Sequence, residues 1–184
     1  MKTCFIGHRN IYENIREKLK ETVENEIKNG CKYFTMGTHG DFDKMALSVC
    51  RELRNTYKDI KIEVVITSFK SIEPIIDHDE IYGDEKYTPY DDVETIMYNI
   101  EETHYKRQII ESNHQMIDDC DTVICYVNQK NSYSGAKYAY QYAKKKGKEI
   151  INLYDEKEEP TYGMTEEQKK DYYDNLFAKY KKTN

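Results

Sequence analysis

Three short polar segments of the chain each follow an apolar run and contain glycine. The first is Gly7-His8-Arg9-Asn10, directly after the run KTCFI. Glycine lets the main chain turn tightly and approach a ligand, and a helix that follows such a turn presents free N–H groups to anions. His8 and Arg9 would add positive charge, and a guanidinium can bind phosphate through two parallel hydrogen bonds. We therefore assign Gly7, His8 and Arg9 to an anion site; the alternative is an ordinary strand-to-helix turn with two exposed polar side chains.

The second segment is GTHGDFD, residues 37–43, which follows the run CKYFTM. Two glycines flank a polar loop that opens onto a predicted helix. The residues that we assign to ligand binding are Gly37, Thr38, Gly40 and Asp43. Asp43 would accept hydrogen bonds from a ribose hydroxyl. The alternative is that Asp41 or Asp43 caps the helix, which does not exclude a role in binding.

The third segment is NQKNSYSG, residues 128–135, which precedes a helix that begins near Ala136. Ser132, Ser134 and Gly135 would present hydroxyl and amide groups at the start of that helix, an arrangement suited to phosphate. The alternative is a loop whose Asn, Ser and Gly residues serve only its conformation.

Five apolar runs with strand character predict the elements that carry these segments: residues 2–7, 31–37, 61–67, 121–127 and 148–154. Helical periodicity covers residues 11–28, 42–57, 105–117 and 135–146. Asn10 would cap the first helix, and Asn29-Gly30 would end it. Strands that alternate with helices form right-handed crossovers and a parallel sheet. We predict an α/β fold: a Rossmann-like, doubly wound, mainly parallel five-stranded sheet with helices on both faces.

In such a sheet, ligands bind beyond the carboxyl ends of the strands, where loops lead into helices. All three polar segments occupy that position in the predicted order. Their convergence on one edge favours a nucleotide-sized anion pocket over three unrelated turns.

The domain organisation follows from two departures from this alternation. Residues 68–104 form a long connection, with ten acidic residues and a single lysine between Asp77 and Glu102. We interpret it as an insert or lid, with a short helix near residues 93–100. Residues 1–154 would form the nucleotide-binding domain, and residues 155–184 a helical appendage capped by Thr165.

Composition narrows the classes of partner and location. The net charge of −6 argues against broad nucleic-acid binding. The sequence contains no apolar stretch of the roughly 20 residues that cross a bilayer and no signal peptide at its start. The five cysteines are odd in number and contain no CxxC pair, which indicates buried free thiols in a reducing cytoplasm. We expect a cytoplasmic homodimer that uses neither a metal nor a cofactor.

Four stretches together resemble the SLOG superfamily, which joins the Smf/DprA and Lonely Guy proteins, and in particular its YpsA-like branch. They are CFIGHR, GTHGDFDKMA, SNHQMIDDCDTVICYV and YSGAKYAYQYAKKKGKEIINL, which span most of residues 2–153. The family's second motif, Gly-x-x-x-Gly-x-Asp-x-x-Ala, resembles the segment that contains Gly37, Gly40, Asp43 and Ala46, with Gly40 one residue before the motif's second glycine position. Of the Arg-Asn pair that often precedes the fourth strand, only Asn113 is kept.

This resemblance implies a pocket for nucleotides or nucleotide-derived molecules, built from the same three loops, with Asn113 reading a base or a sugar. SLOG proteins include cytokinin-activating phosphoribohydrolases, DNA-uptake proteins and sensors of nucleotide signals in bacterial defence. The leading hypothesis is a sensor or sequestering protein, with sequestration of a defence signal by a phage-encoded protein as one use.

The hydrolase members carry a Pro-Gly-Gly-x-Gly-Thr loop followed by a catalytic Glu. In this chain the loop is YSGAKYAY, residues 133–140, with one glycine, Ala136 in place of Thr and no acid in the next turn. Hydrolysis needs an acid or base near the glycosidic bond, and Asp43 or Glu111 would have to supply it. We therefore favour binding without hydrolysis. The alternatives are a nucleoside-monophosphate phosphoribohydrolase and a protein-interaction module.

Overall fold

The structure is a computed structural model that describes residues 1–67, 75–79, 83–87, 89–98, 100, 105–130, 134–155, 165 and 170. The chain divides into two compact units, Met1–Tyr154 and Asp155–Asn184. All elements named below belong to the first unit. The C-terminal helix predicted by the sequence falls on residues outside this description, apart from Thr165 and Lys170.

The first unit contains a sheet of six parallel strands and four helices, which confirms the α/β, doubly wound fold. The strands of the main sheet are β1 (Lys2–Gly7), β2 (Tyr33–Met36), β3 (Lys61–Val65), β6 (Glu94–Ile96), β7 (Thr122–Tyr126) and β8 (Glu149–Asn152). The helices are α1 (Arg16–Lys28), α2 (Asp41–Arg54), α3 (Tyr105–Asp119) and α4 (Gly135–Lys145). Strands β4 (Ile75–Asp79) and β5 (Gly83–Tyr87) form a separate antiparallel pair.

The order of the main sheet is β6-β3-β2-β1-β7-β8, and every neighbouring pair is parallel. The chain adds β2, β3 and β6 on one side of β1 and then returns to add β7 and β8 on the other. The direction of winding therefore reverses between β1 and β7. This is the place where doubly wound sheets open a crevice for ligands.

Two apolar cores cover the two faces of the sheet, and side-chain alternation along β1 supplies both. Phe5 packs in the core shared with α1 and α2, whereas Cys4 and Ile6 pack in the core shared with α3 and α4. All five cysteines are free and buried, as the sequence predicts. None of the helices within the described ranges has both the length and the apolar character that a bilayer crossing requires.

Strand β6 corrects two predictions. The sequence predicts five strands and a short helix near residues 93–100, but Glu94–Ile96 is a sixth strand, at the edge of the sheet. Glu94, Thr95 and Ile96 pair with Glu63, Val64 and Val65 of β3. The helical expectation failed because it treated the segment in isolation, whereas the free edge of β3 offers hydrogen-bond partners to an extended segment.

The start of α1 is also different from the prediction. The helix begins at Arg16, not near Ile11, and Asn10 is not its cap. The preceding chain is bound to the start of α2 instead: the main-chain N–H of Ile11 donates to Asp41 Oδ2 at 3.4 Å. The predicted end is confirmed, since Asn29 follows the last helical residue and Gly30 has φ of +94°.

Candidate functional site

A cleft of about 630 Å³ opens at the carboxyl ends of the strands, beside the point where the winding reverses. Its size is within the range of small-molecule sites. It is lined by the ends of β1, β2 and β7, by the starts of α2 and α4, and by one side of α3. The lining residues are Phe5, Ile6, Gly7, His8, Arg9, Asn10, Tyr12, Gly37, His39, Gly40, Asp43, Ile109, Asn113, Tyr126, Asn128, Ser134, Gly135, Ala136 and Tyr154.

The cleft brings together nine of the eleven residues that the sequence assigns to ligand binding. They are Gly7, His8, Arg9, Gly37, Gly40, Asp43, Asn113, Ser134 and Gly135. Thr38 is in the second loop but is not a lining residue, and Ser132 lies outside the described residues. All three segments thus reach one site, as the position of their strands in a parallel sheet requires.

The first two loops are packed directly on each other. The Asp41 N–H donates to the Arg9 carbonyl oxygen at 2.7 Å. A Cβ atom added to Gly40 would lie 2.9 Å from Arg9 Cα, so only glycine permits this approach of two main chains. The loop after β1 is therefore held against the start of α2 before any ligand is bound.

Gly7 serves packing more than ligand access. A Cβ atom at Gly7 would lie 2.4 Å from two ring carbons of Phe42, which is fully buried in the first turn of α2. Gly7 does not have a positive φ, so the requirement is space and not a left-handed main chain. The Phe42 ring in turn stacks on Tyr126 at a centroid distance of 6.3 Å, which joins α2 to the end of β7.

His8 joins the first loop to the third. Its Nε2 accepts a hydrogen bond from the Asn128 N–H at 2.8 Å, and its Nδ1 lies 3.2 Å from Ser134 Oγ. A nitrogen that accepts a hydrogen bond carries no proton, so the ring is neutral. Burial also lowers the pKa of His8. The expectation that His8 adds positive charge is therefore wrong.

Arg9 carries the charge expected of this loop. Its side chain is exposed at the cleft and forms no ion pair with any residue that the structure describes. Burial lowers the pKa of the neighbouring His39, and the charge of Arg9 lowers it further. Three of the described residues that line the cleft have basic side chains, and among these only the Arg9 guanidinium is a fixed cation.

Asp43 acts on the second loop from inside the helix. Asp43 lies three residues after Gly40, which precedes the helix. Its Oδ2 accepts a hydrogen bond from the His39 N–H at 2.9 Å. The residue at the N-cap is Gly40 and no side chain bonds there as a cap, so the structure does not show the capping by Asp41 or Asp43 that the sequence raised as an alternative; Asp43 holds the loop before the helix instead. Burial raises the pKa of Asp43 to about 6, although hydrogen bonds from the His39 and Gly40 amides oppose the shift. The carboxyl is still largely ionised at pH 7, so the cleft contains one negative charge as well as the positive charge of Arg9.

The start of α4 is open to the cleft. Ser134 precedes the helix, and its Oγ accepts the Lys137 N–H at 3.4 Å. The amides of Gly135 and Ala136 have no acceptor among the described residues, and no acidic residue occupies the first turn. A Cβ atom at Gly135 would meet nothing within 4 Å. Gly135 is exposed and Ala136 is buried, and both line the cleft, so their amides form an anion-binding end of the kind that helix dipoles favour.

Comparison with known families agrees with this geometry. The model of the YspA SLOG family matches residues 3–156, which is most of the chain. The chain belongs to the YspA SLOG family. A search of curated proteins gave no match. Membership suggests a nucleotide-related function for this SLOG protein, and it places the matched region over every residue that lines the cleft.

Several lining residues of the SLOG cleft were missed by sequence reasoning. Tyr126 ends β7, Tyr154 lies two residues after the neighbouring strand β8, and the two rings meet edge to face at 5.2 Å. Both tyrosines come at the ends of apolar runs with strand character, and this position was the signal that could have assigned them to the cleft. Ile109 lies one helical turn before Asn113 on α3, and this spacing of four residues was the signal there. Tyr12, whose side chain is 90% exposed at the cleft, carried no periodic signal.

The described residues of the SLOG chain contain no group of three or more His, Cys, Asp or Glu side chains placed to hold a metal ion. The chemistry of the cleft is instead that of one guanidinium, one carboxylate, two neutral imidazoles, amide side chains and the amides that begin α4. Such a set suits the recognition of an anionic group attached to a polar, partly aromatic body.

Proposed function

We propose that this protein binds a nucleotide or a nucleotide-derived signalling molecule in the cleft and acts as its sensor or sequestering protein. The observation that carries the proposal is the convergence on one cleft of nucleotide size of the Arg9 guanidinium, which has no ion pair among the described residues, and the amides of Gly135 and Ala136 that begin α4. The phosphate would bind the amides of Gly135 and Ala136, with Arg9 supplying charge.

The remainder of the cleft supports a sugar and a base. Asn113 on α3 provides an amide that can both donate and accept, and Asn128 provides another at the end of β7. Tyr12 has an exposed ring on which a base can stack. Asp43 would accept a hydrogen bond from a ribose hydroxyl on a carboxylate lone pair that the main-chain amides do not use.

A second candidate function is hydrolysis of the N-glycosidic bond of a nucleotide. Asp43 favours it, because a carboxyl group with a pKa of about 6 in a cleft is suited to general acid–base chemistry. Its oxygen already holds the second loop, however, and the first turn of α4 has no acid. Binding without reaction therefore remains the preferred proposal.

One experiment separates these candidates. The protein is titrated by calorimetry with the mono-, di- and triphosphates and the 3′,5′-cyclic monophosphates of the four common nucleosides, and each mixture is then analysed for free base. Saturable binding with an intact nucleotide supports the proposal, and release of free base supports hydrolysis. Absence of binding across the panel, together with no small molecule retained in native mass spectrometry of protein purified from cells, would refute both.

Three further expectations belong to the proposal. They are a homodimeric state, a cytoplasmic location and a role in signalling between bacteria and phages, such as sequestration of a defence signal. Light scattering after size-exclusion chromatography measures the first. A small molecule recovered from purified protein identifies the signal on which the third depends.

A further inference from the structure

The two nitrogens of the His8 ring contact two different positions of the third loop. Nε2 is 2.8 Å from the main-chain nitrogen of Asn128, at the beginning of the loop, and Nδ1 is 3.2 Å from Ser134 Oγ, at its end. The ring also meets Tyr126 edge to face at 6.2 Å. One side chain from the loop after β1 thus contacts both ends of the segment that leads from β7 into α4.

The first of these contacts determines the tautomer. A main-chain N–H can only donate, so Nε2 must accept and must be unprotonated. A neutral ring then carries its proton on Nδ1. Nδ1–H accordingly donates to Ser134 Oγ, and the direction of the second hydrogen bond is fixed by the first.

The tautomer in turn determines what Ser134 can do. A hydroxyl oxygen has two lone pairs and one proton. One lone pair accepts Nδ1–H of His8, and the other accepts the Lys137 N–H at 3.4 Å. The proton remains, and among the described residues no acceptor faces it. Because Ser134 lines the cleft, that proton is available to a group within it.

We propose that His8 is a positioning residue, which holds the third loop at both ends and, through its Nδ1–H tautomer, makes the Ser134 hydroxyl a hydrogen-bond donor into the cleft. This inference rests on the proposed function for its biological use. It adds that the ligand atom next to Ser134 is an acceptor, such as a phosphate oxygen. A donor group there would face the Ser134 proton and would be excluded.

The tautomer is measured directly on the ligand-free protein by nitrogen-15 NMR of the histidine rings at pH 7.5. His8 is expected to be neutral with the proton on Nδ1, the less common form of a free imidazole, and to keep that form when inorganic phosphate is added. His8 protonated on Nε2, or on both nitrogens, would overturn the inference. This result does not depend on whether any nucleotide binds, so it is distinguishable from failure of the proposed function.

Two substitutions separate the contacts of His8. In His8→Gln, the side-chain carbonyl reaches the position of Nε2 and can still accept the Asn128 N–H, but no donor remains for Ser134. In Ser134→Gly, the hydroxyl is lost while glycine remains an acceptable residue before a helix. Each is expected to weaken the binding of inorganic phosphate about three- to tenfold, the usual value of one hydrogen bond. His114→Gln, on α3 outside the cleft, removes an imidazole elsewhere and should bind phosphate as the unaltered protein does.

The double variant tests whether His8 acts through Ser134. If it does, His8→Gln combined with Ser134→Gly should bind phosphate no more weakly than Ser134→Gly alone, because the two changes remove one and the same interaction. Additive losses would overturn the inference. If His8→Gln fails to fold, the tautomer of the unaltered protein still decides the question.

Discussion

Two adjacent residues, His8 and Arg9, show that residue type alone does not determine charge at a site. Both are cations by sequence pattern, yet His8 accepts a main-chain N–H on Nε2 and is neutral. Arg9 keeps its positive charge, because a guanidinium stays protonated in proteins. The charge that recognises an anion therefore depends on Arg9, together with the amides that begin α4.

The first prediction is that Arg9→Ala weakens nucleotide affinity by about 1.5–3 kcal/mol, the range for hydrogen bonds to charged groups. The unfolding free energy should change little, since the side chain is exposed and unpaired among the described residues. Calorimetry with the best-bound nucleotide of the panel measures the affinity. Lys130→Ala is the control, because it removes an exposed cation that does not line the cleft. Unchanged affinity in folded Arg9→Ala would remove Arg9 from the site.

The buried carboxyl group of Asp43 lowers the stability of the fold at neutral pH. Burial raises the pKa of Asp43 from its ordinary value of 3.8 to about 6. A raised pKa in the folded state means that protonation stabilises the fold. This contribution is complete below pH 3.8 and is lost as the pH rises through about 6. At pH 7 the ionised carboxyl is therefore a net burden on stability.

The second prediction is that Asp43→Asn raises the unfolding free energy at pH 7 by about 1–3 kcal/mol. The amide oxygen can still accept the His39 N–H, so the loop should be kept, and no gain is expected at pH 3.5. Urea unfolding at the two pH values measures the difference. Asp41→Asn, at an exposed residue in the same helical turn, changes the charge equally and serves as the matched control. A loss of stability at pH 7 would mean that the charge of Asp43 is needed by the fold.

At the scale of elements, Gly7 at the end of β1 and Gly135 at the start of α4 look alike in sequence but have different surroundings. Gly7 is required by the Phe42 ring, which lies 2.4 Å from where a Cβ atom would be. Gly135 has open space around it. Neither has a positive φ, so alanine is compatible with the main chain at both positions.

The third prediction uses this difference. Gly7→Ala should lower the unfolding free energy by about 1–3 kcal/mol or more through overpacking against Phe42. Gly135→Ala should raise it by up to about 1 kcal/mol, because alanine favours the helix. Gly135→Ala should nevertheless weaken nucleotide binding at least about tenfold, since the alanine methyl group would occupy the space next to the amides that begin α4. Thermal unfolding and calorimetry of both variants measure these effects. Gly135→Ala with full affinity would show that no ligand atom approaches that amide.

Elements were predictable where local pattern and tertiary structure agree. The runs that became β1, β2, β3, β7 and β8 are apolar because both faces of the sheet are covered, so composition alone located them. Strand β6 was missed because only three residues pair with β3, too few for a pattern. The start of α1 was misplaced because Ile11 and Arg9 are bonded to Asp41, a contact across thirty residues that no local signal contains.

At the scale of the whole molecule, the site follows from topology. Alternating strands and helices predict a parallel sheet, and a parallel sheet brings strand ends to one edge, which is how nine of eleven candidate residues reached one cleft. The order of the strands was not available from the sequence. Without it, neither the reversal between β1 and β7 nor the contribution of Tyr154, two residues after β8, could be inferred, because both depend on which strands are neighbours.

The fourth prediction concerns the cleft as a whole, which is built before any ligand binds. The Asp41 N–H is bonded to the Arg9 carbonyl and the Asn128 N–H to His8, so both amides should exchange slowly in the free protein. The amides of Gly135 and Ala136 have no acceptor among the described residues and should exchange faster than the first two, Gly135 most of all because it is exposed and Ala136 is buried. A saturating nucleotide should slow the exchange of the Gly135 and Ala136 amides by about tenfold or more. The exchange of the Asp41 and Asn128 amides, which are already hydrogen-bonded, should slow only as much as the ligand stabilises the whole protein. Hydrogen exchange followed by NMR with and without the nucleotide measures all four amides. Fast exchange of Asp41 and Asn128 in the free protein would mean that the loops assemble only when the ligand binds, and the affinity would then include the cost of ordering them.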